Sequence, residues 1–273
     1  MNSCVHGHLS DMHTHTEARG FVALMYHGVG EAADPKEGVR YTVTLPEFER
    51  QLEALERTGV RILHPAQAGG EGSSGVVLTF DDGEASVIRE ALPRLARRGA
   101  PAALFMTTAW LGRPGYLDAA GLRELAAAGW VIGSHGHTHR FLNTLDDRQL
   151  QEELERSRDV LGTLLGHAPS HLAFPGGRTS QRVEERAREL GFQTLWSSRP
   201  GLNSGPGSRA TLRRTAVRRG DEHERFVRLA RGERLAHWVD SFRMGSRGLV
   251  RRLVGEERYH QLTARLLCLL GQR

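Results

Sequence analysis

The 273-residue chain reads as an α/β protein, a parallel sheet wound with helices that carries its chemistry at the C-terminal ends of the strands. Two observations predict this. Short apolar, β-branched runs alternate with helical patterns through about residue 200. Four of those runs also end on residues of a kind that do chemistry, which is how β/α barrels place their catalytic groups. The length suits one barrel-sized domain with appendages.

The elements follow in order. Phe21-Val22-Ala23-Leu24-Met25-Tyr26 is the cleanest strand and ends on His27-Gly28. Residues 46–59 form a helix with Phe48, Leu52 and Leu55 on one side, Thr44 as a cap and Gly59 as the stop. The run from Gly75 to Phe80 is a buried strand that delivers Asp81-Asp82-Gly83. Helices are expected over 85–98 and 118–128, closed by Gly99 and Gly129. Trp130-Val131-Ile132-Gly133 is a strand followed by Ser134-His135-Gly136-His137-Thr138-His139. The longest helix spans 146–165, with Leu150, Leu154, Leu161 and Leu165 on one stripe. His171-Leu172-Ala173-Phe174 precedes Pro175-Gly176-Gly177, a helix over 179–190 ends at Gly191, and Phe192-Gln193-Thr194-Leu195 is a further strand before Trp196.

The chemistry begins with two adjacent carboxylates. Side by side they repel, so one would normally take up a proton or both would face water. If one binds a divalent cation, the other can stay ionised and serve as a base. His135 and His139 offer neutral nitrogen ligands, and with one Asp they make a two-histidine, one-carboxylate site. If that spacing lies on a helical turn, His137 points away from the pair.

Thr79-Phe80-Asp81-Asp82-Gly83 and the Ser-His-x-x-x-His motif, in this order and setting, resemble the polysaccharide deacetylases, metal-dependent carbohydrate esterases of the rhizobial nodulation-deacetylase type. The resemblance runs from about residue 21 to about residue 232. It implies a distorted (β/α) barrel of roughly seven parallel strands. The implied reaction is hydrolysis of the N-acetyl group of N-acetylglucosamine units, or of O-acetyl groups on other sugars. Carried over by position, Asp81 is the catalytic base, and Asp82, His135 and His139 hold the metal. Zinc is the expected ion, with cobalt or nickel also accepted by such a site. Most relatives carry the general acid histidine after the last barrel strand. Here the segment 211–218 has none, and His223 lies among Asp221, Glu222 and Glu224. Met25-Tyr26-His27 instead resembles the branch that deacetylates biofilm poly-N-acetylglucosamine, which makes His27 the expected acid. Many relatives hold the base with an arginine two residues before the proline of the third motif. Ala173 stands there, and Arg178 is the nearest arginine in sequence. Tyr26, Pro175, Gly176, Gly177 and Trp196 are the expected substrate contacts, and the loops 112–117 and 200–208 are expected to select the glycan.

Composition narrows the rest. At 39% hydrophobic and 25% charged residues the chain is ordinary for a globular protein, and its net charge of +5 is carried mostly by arginine. No zinc-finger spacing or recognition-helix pattern supports nucleic-acid binding. Cys4 and Cys268 imply no disulfide framework. Residues 1–20 read as a flexible, His-rich leader without an apolar signal core. Either the protein is cytoplasmic, peripheral to the inner membrane, or an export signal lies outside this sequence, and the cytoplasmic reading is the expectation. Residues 233–273 read as a basic amphipathic helical extension that packs on the barrel or lies on an anionic membrane. Oligomeric state leaves no mark in the sequence. Two other function classes fit less well. Asp11-Met12-His13-Thr14-His15 is similar to the first metal motif of histidinol-phosphatase-type phosphoesterases but follows no buried strand. A non-catalytic carbohydrate-binding relative would not need to keep Asp81, Asp82, His135, His139 and His27.

Overall fold

The run Phe21–Tyr26 (β1) is buried at every position, as only a central strand covered on both faces can be. The structure, a computed structural model, describes residues 20–33, 39–70, 73–204 and 210–240. The leader and most of the C-terminal extension expected from the sequence therefore lie outside the described residues, as does the phosphoesterase-like motif at 11–15. After β1 come β2 (Gly28–Val29), β3 (Thr42–Val43), α1 (Leu45–Thr58) and β4 (Gly75–Asp82). A wide helical turn, Val87–Ala91, then enters α2 (Leu92–Ala96), followed by β5 (Ala102–Met106), α3 (Ala119–Ala127) and β6 (Val131–Ser134). The remainder is α4 (Asp147–Leu165), β7 (His171–Ala173), α5 (Gln181–Glu189), β8 (Thr194–Trp196), β9 (Leu202–Asn203), β10 (Thr215–Ala216) and α6 (His223–Ala230).

Seven strands form one curled parallel sheet in the order β10-β1-β4-β5-β6-β7-β8, with β9 antiparallel to β1. The fold class is the distorted β/α barrel of seven parallel strands expected from the sequence. A single parallel bridge, Trp196 to Leu212, draws the two ends together. The segment from Leu212 to Ala216 thus touches β8 at one end and β1 at the other, and Arg214 lies in that seam.

Strand alternation builds two apolar layers. Val22, Leu24, Tyr26, Val76, Leu78 and Phe80 face the helices. Phe21, Ala23, Val77, Ala103, Phe105, Ala173 and Trp196 fill the barrel interior. Thr79 and Asp81 share the parity of Val77, so β4 carries Asp81 inside the barrel.

The helices follow their sequence signals. Thr44 and Glu47 form a reciprocal cap on α1, and Gly59 ends it in the left-handed conformation at φ 66°. Asp146 caps α4, which Gly166 closes at φ 78°. The single helix expected over 85–98 is instead a wide turn feeding a short α2, because Pro93 has no N–H to give the preceding turn. The start of the C-terminal segment is docked: His237 lies 3.2 Å from Thr215 Oγ1 of β10, and Asp240 pairs with Arg225. Among the described residues no helix is long and apolar enough to cross a membrane.

Candidate metal and catalytic centre

β4 ends on a left-handed turn. Asp82 has φ 71° and Gly83 φ 90°, and the Gly83 N–H bonds back to Asp81 O at 2.8 Å. A Cβ on Gly83 would lie 2.2 Å from Met106 Sδ, so glycine is needed for space as well as for φ. The turn leaves the Asp81 side chain inside the barrel and swings that of Asp82 toward the loop after β6.

That loop presents His135 and His139. The His135 N–H bonds Met106 O at 2.9 Å, and its ring Nδ1 donates to Ala173 O at 2.8 Å. The second bond fixes the tautomer and leaves Nε2 with a lone pair. Burial pushes the His135 pKa down to about 3, so the ring is neutral, the form that binds metal. Its Nε2 lies 3.6 Å from Asp82 Oδ1, and His139 Nε2 lies 3.3 Å from the same oxygen. The i, i+4 spacing is not on a helix. The loop reaches the same convergence through a left-handed His139 at φ 65°. Among the described residues, Asp82 and His139 are the only non-glycine residues with positive φ. Each such conformation costs about 1–3 kcal/mol and persists where the surroundings over-determine it, typically at functional sites.

The donor set fits a divalent cation. Asp82, His135 and His139 each bring one ligand atom, all within 4.8 Å of one another. Tetrahedral bonds of roughly 2.0–2.2 Å place donor atoms about 3.3–3.6 Å apart, the spacing seen around Asp82 Oδ1. Asp82 Oδ1 is also buried without a hydrogen-bond partner. Burial first, then the charges of Asp81 and Glu84, push the Asp82 pKa up to about 7 against the pull of His27 and Arg214. Its carboxylate is thus short of positive charge, which a cation at this point supplies.

Asp81 has the opposite environment. Arg214, with no exposed surface, donates to both its oxygens, at 2.5 Å to Oδ1 and 2.8 Å to Oδ2. Arg214 is itself held by Ser197 O at 3.0 Å and lies over the Phe105 ring at 5.0 Å. Burial raises the Asp81 pKa, but the Arg214 charge and its hydrogen bonds outweigh that and hold it at about 2. The arginine that orients Asp81 is therefore Arg214, which sequence reasoning passed over. Arg178, the arginine nearest the Pro175-Gly176-Gly177 motif in sequence, instead stacks over Phe141 at 3.9 Å.

His27 approaches Asp82 from the other side, with Nε2 3.9 Å from Oδ2, and its ring stacks on Tyr41. His223, the other histidine weighed as an acid, begins α6 and faces Arg57 at 3.5 Å on the exterior. His137 also turns from the donor set, though not by the helical turn assumed for it, and its Nδ1 lies 2.8 Å from Thr108 Oγ1. A half-buried aromatic pair that the sequence did not flag flanks the site. Trp110 lies 5.0 Å from the His139 ring and 5.0 Å from the Tyr116 ring.

Two expected substrate contacts are elsewhere. Tyr26 shares the parity of Val22 and Leu24, so it points into the helix layer, where its hydroxyl donates to Gln51 at 3.0 Å. Trp196 is fully buried in the barrel interior and donates to His171 Nδ1 at 3.3 Å. Pro175 is buried near the histidine loop, 3.6 Å from where a Cβ on Gly136 would stand. Gly176 and Gly177 have φ 61° and 66°, and a Cβ on either would strike Phe141 or Ser198. These glycines let the chain pack against itself.

Comparison with known proteins agrees with this geometry. Residues 68–195 match the polysaccharide deacetylase family model. YxkH of Bacillus subtilis, named as a candidate polysaccharide deacetylase, is 28% identical over 204 residues, covering 72% of this chain and 71% of its own. A peptidoglycan-N-acetylglucosamine deacetylase of Bacillus cereus is 26% identical over 165 residues, 58% of each chain. The structure of IcaB from Ammonifex degensii superposes with a TM-score of 0.68 at 26% identity, covering 79% of this chain and 98% of that one. Residues 68–195 thus carry a polysaccharide deacetylase domain, and the relatives and structural neighbours of the chain are carbohydrate-esterase hydrolases.

Proposed function

We propose that this chain hydrolyses the N-acetyl group of N-acetylglucosamine-type units in a polysaccharide, oligosaccharide or lipid-linked glycan, with a divalent cation held by Asp82, His135 and His139. One observation carries the reading: Asp82 Oδ1 and the two histidine Nε2 atoms converge, while Asp81 is held apart and ionised by Arg214. Zinc fits the two-nitrogen, one-oxygen donor set best, with cobalt or nickel as substitutes. Bound there, the cation would polarise the acetyl carbonyl and lower the pKa of water.

The chain's own groups supply the rest. Asp81 takes the proton from the attacking water. Arg214 engages each of its oxygens once, and a carboxylate has about four lone-pair sites, so acceptor capacity remains on the Oδ2 side, 3.7 Å from His135 Nε2. Arg214 fixes the direction of that acceptor at the expense of basicity. His27 stands on the opposite side of Asp82 and gives a proton to the departing nitrogen, which leaves poorly as an anion. Trp110 and Tyr116 offer an apolar wall beside His139 for the sugar ring.

The test is acetate release from N-acetylglucosamine oligomers, measured after chelation and again after zinc is restored. Zinc-dependent release that Asp82→Ala abolishes supports the assignment. Release that survives complete chelation contradicts it.

A further inference from the structure

The apolar stripe of α4 contains two polar residues, Glu153 and Ser157, both buried. They meet the loop that carries the two histidines. One oxygen of Glu153 accepts the backbone N–H of His137 at 3.0 Å and of Thr138 at 2.9 Å, and the other accepts the Thr138 hydroxyl. Next to it, the Gly136 N–H donates to Ser134 Oγ at 3.0 Å, and Ser134 Oγ lies 2.8 Å from Ser157 Oγ. Every donor that meets Glu153 belongs to the two residues just before His139, whose backbone stands at φ 65°. A non-glycine residue keeps that conformation only where its surroundings enforce it. Bonds from a carboxylate to backbone N–H groups are charge-assisted and about twice as strong as neutral ones. The other bonds to this turn, from the Thr108 N–H to Gly136 O, from the Ala109 N–H to His137 O and between Thr108 Oγ1 and His137, are neutral.

We infer that Glu153 is a positioning residue for the metal pocket, holding the 136–138 turn so that His139 Nε2 aims at Asp82. The inference rests on the proposed cation site. It assigns to α4, on the outer helical layer, a part in setting metal affinity. The chemistry also explains why an acid stands here: three donors converge, and a carboxylate is the side chain that only accepts.

Zinc affinity of the folded protein, by competition with a chromophoric chelator, separates this role from simple helix packing. Glu153→Ala removes the acceptor, and Glu153→Asp keeps the charge but withdraws it by one methylene. Each is expected to weaken zinc binding about 10–100-fold, the usual effect of losing a partner behind a metal ligand. Glu153→Gln keeps one oxygen for the two N–H groups, and the Thr138 hydroxyl can rotate to accept from its amide. It is expected to retain affinity within about tenfold, a change under ~1.4 kcal/mol. If Glu153→Ala does not fold, the ordering of Asp below Gln carries the test. Wild-type zinc affinity in folded Glu153→Asp, or an affinity equal to that of Glu153→Gln, overturns the inference and leaves the metal site standing. Failure of the wild-type chain to bind zinc overturns both.

Discussion

Asp81 and Asp82 carry identical side chains on adjacent positions of one strand, yet they sit in opposite electrostatic surroundings. Asp81 keeps the strand's inward parity and meets a buried guanidinium, which holds it at about 2. Asp82 leaves the strand through a left-handed turn and meets two histidine nitrogens, with its pKa pushed up to about 7. One rotation of the backbone thus separates an ionised, oriented carboxylate from one short of positive charge. Adjacent acids can avoid mutual repulsion when each has its own positive partner: Asp81 has Arg214, and on the proposed reading a cation from solution would serve Asp82.

The comparison can be broken most severely at the acids themselves. Asp82→Ala should abolish zinc-dependent acetate release, whereas Asp81→Asn should slow it about 10²–10⁴-fold, the usual worth of a positioned general base. Kinetics at saturating zinc would show whether the two losses differ in kind.

Removing the protein's own cation is next. Arg214→Met leaves the Asp81 charge buried and alone, and should destabilise the fold by about 3–5 kcal/mol at neutral pH. The sign with pH follows from the shift. In the wild type Asp81 titrates at about 2, below its ordinary 3.8, so its contribution is complete above pH 4 and is lost as pH falls through about 2. In the variant the Arg214 charge and hydrogen bonds are gone and burial is opposed only by His135 and His27, so the pKa rises and the stability gap should narrow below pH 4. Denaturant melts at pH 7 and pH 3 measure it.

Asp82 gives the converse. A raised pKa means the folded state holds its proton longer than the unfolded chain, so the metal-free protein loses stability as pH rises from about 4 to about 7. Metal-free Asp82→Asn should therefore melt above the metal-free wild type at pH 8, with little difference near pH 4. Zinc should narrow that gap, since ligand at about 100 times its Kd adds about 2.7 kcal/mol to the wild type. The smallest effect belongs to Arg178→Ala. It removes a guanidinium stacked on Phe141, worth about 0.5–1 kcal/mol, and should leave the rate almost unchanged.

Much of this was legible in the sequence. The Asp81-Asp82 pair and the His135 to His139 segment stand out because each follows an apolar run, and β/α barrels place chemistry at such ends. Arg214 was hidden for two reasons: its contact with Asp81 spans 133 residues, and it sits among many arginines. The local hint is a pair of charges, Arg213 and Arg214, between Leu212 and the buried Thr215–Ala216 strand. β5 was missed because Ala102-Ala103-Leu104-Phe105-Met106 reads equally well as helix, and only the neighbouring strands decide it. Tyr26 was misplaced although its parity with Val22 and Leu24 already pointed it at the helices. The left-handed backbone of His139 leaves no trace in residue type, so the loop geometry and its Glu153 support emerge only in three dimensions.

The central claim is that the two acids divide the work, and zinc titration by calorimetry on the wild type, Asp81→Asn and Asp82→Asn tests it most directly. The account predicts one zinc per chain in the wild type and in Asp81→Asn, and no measurable binding in Asp82→Asn. Zinc lost equally in both variants, or retained in Asp82→Asn, would contradict it.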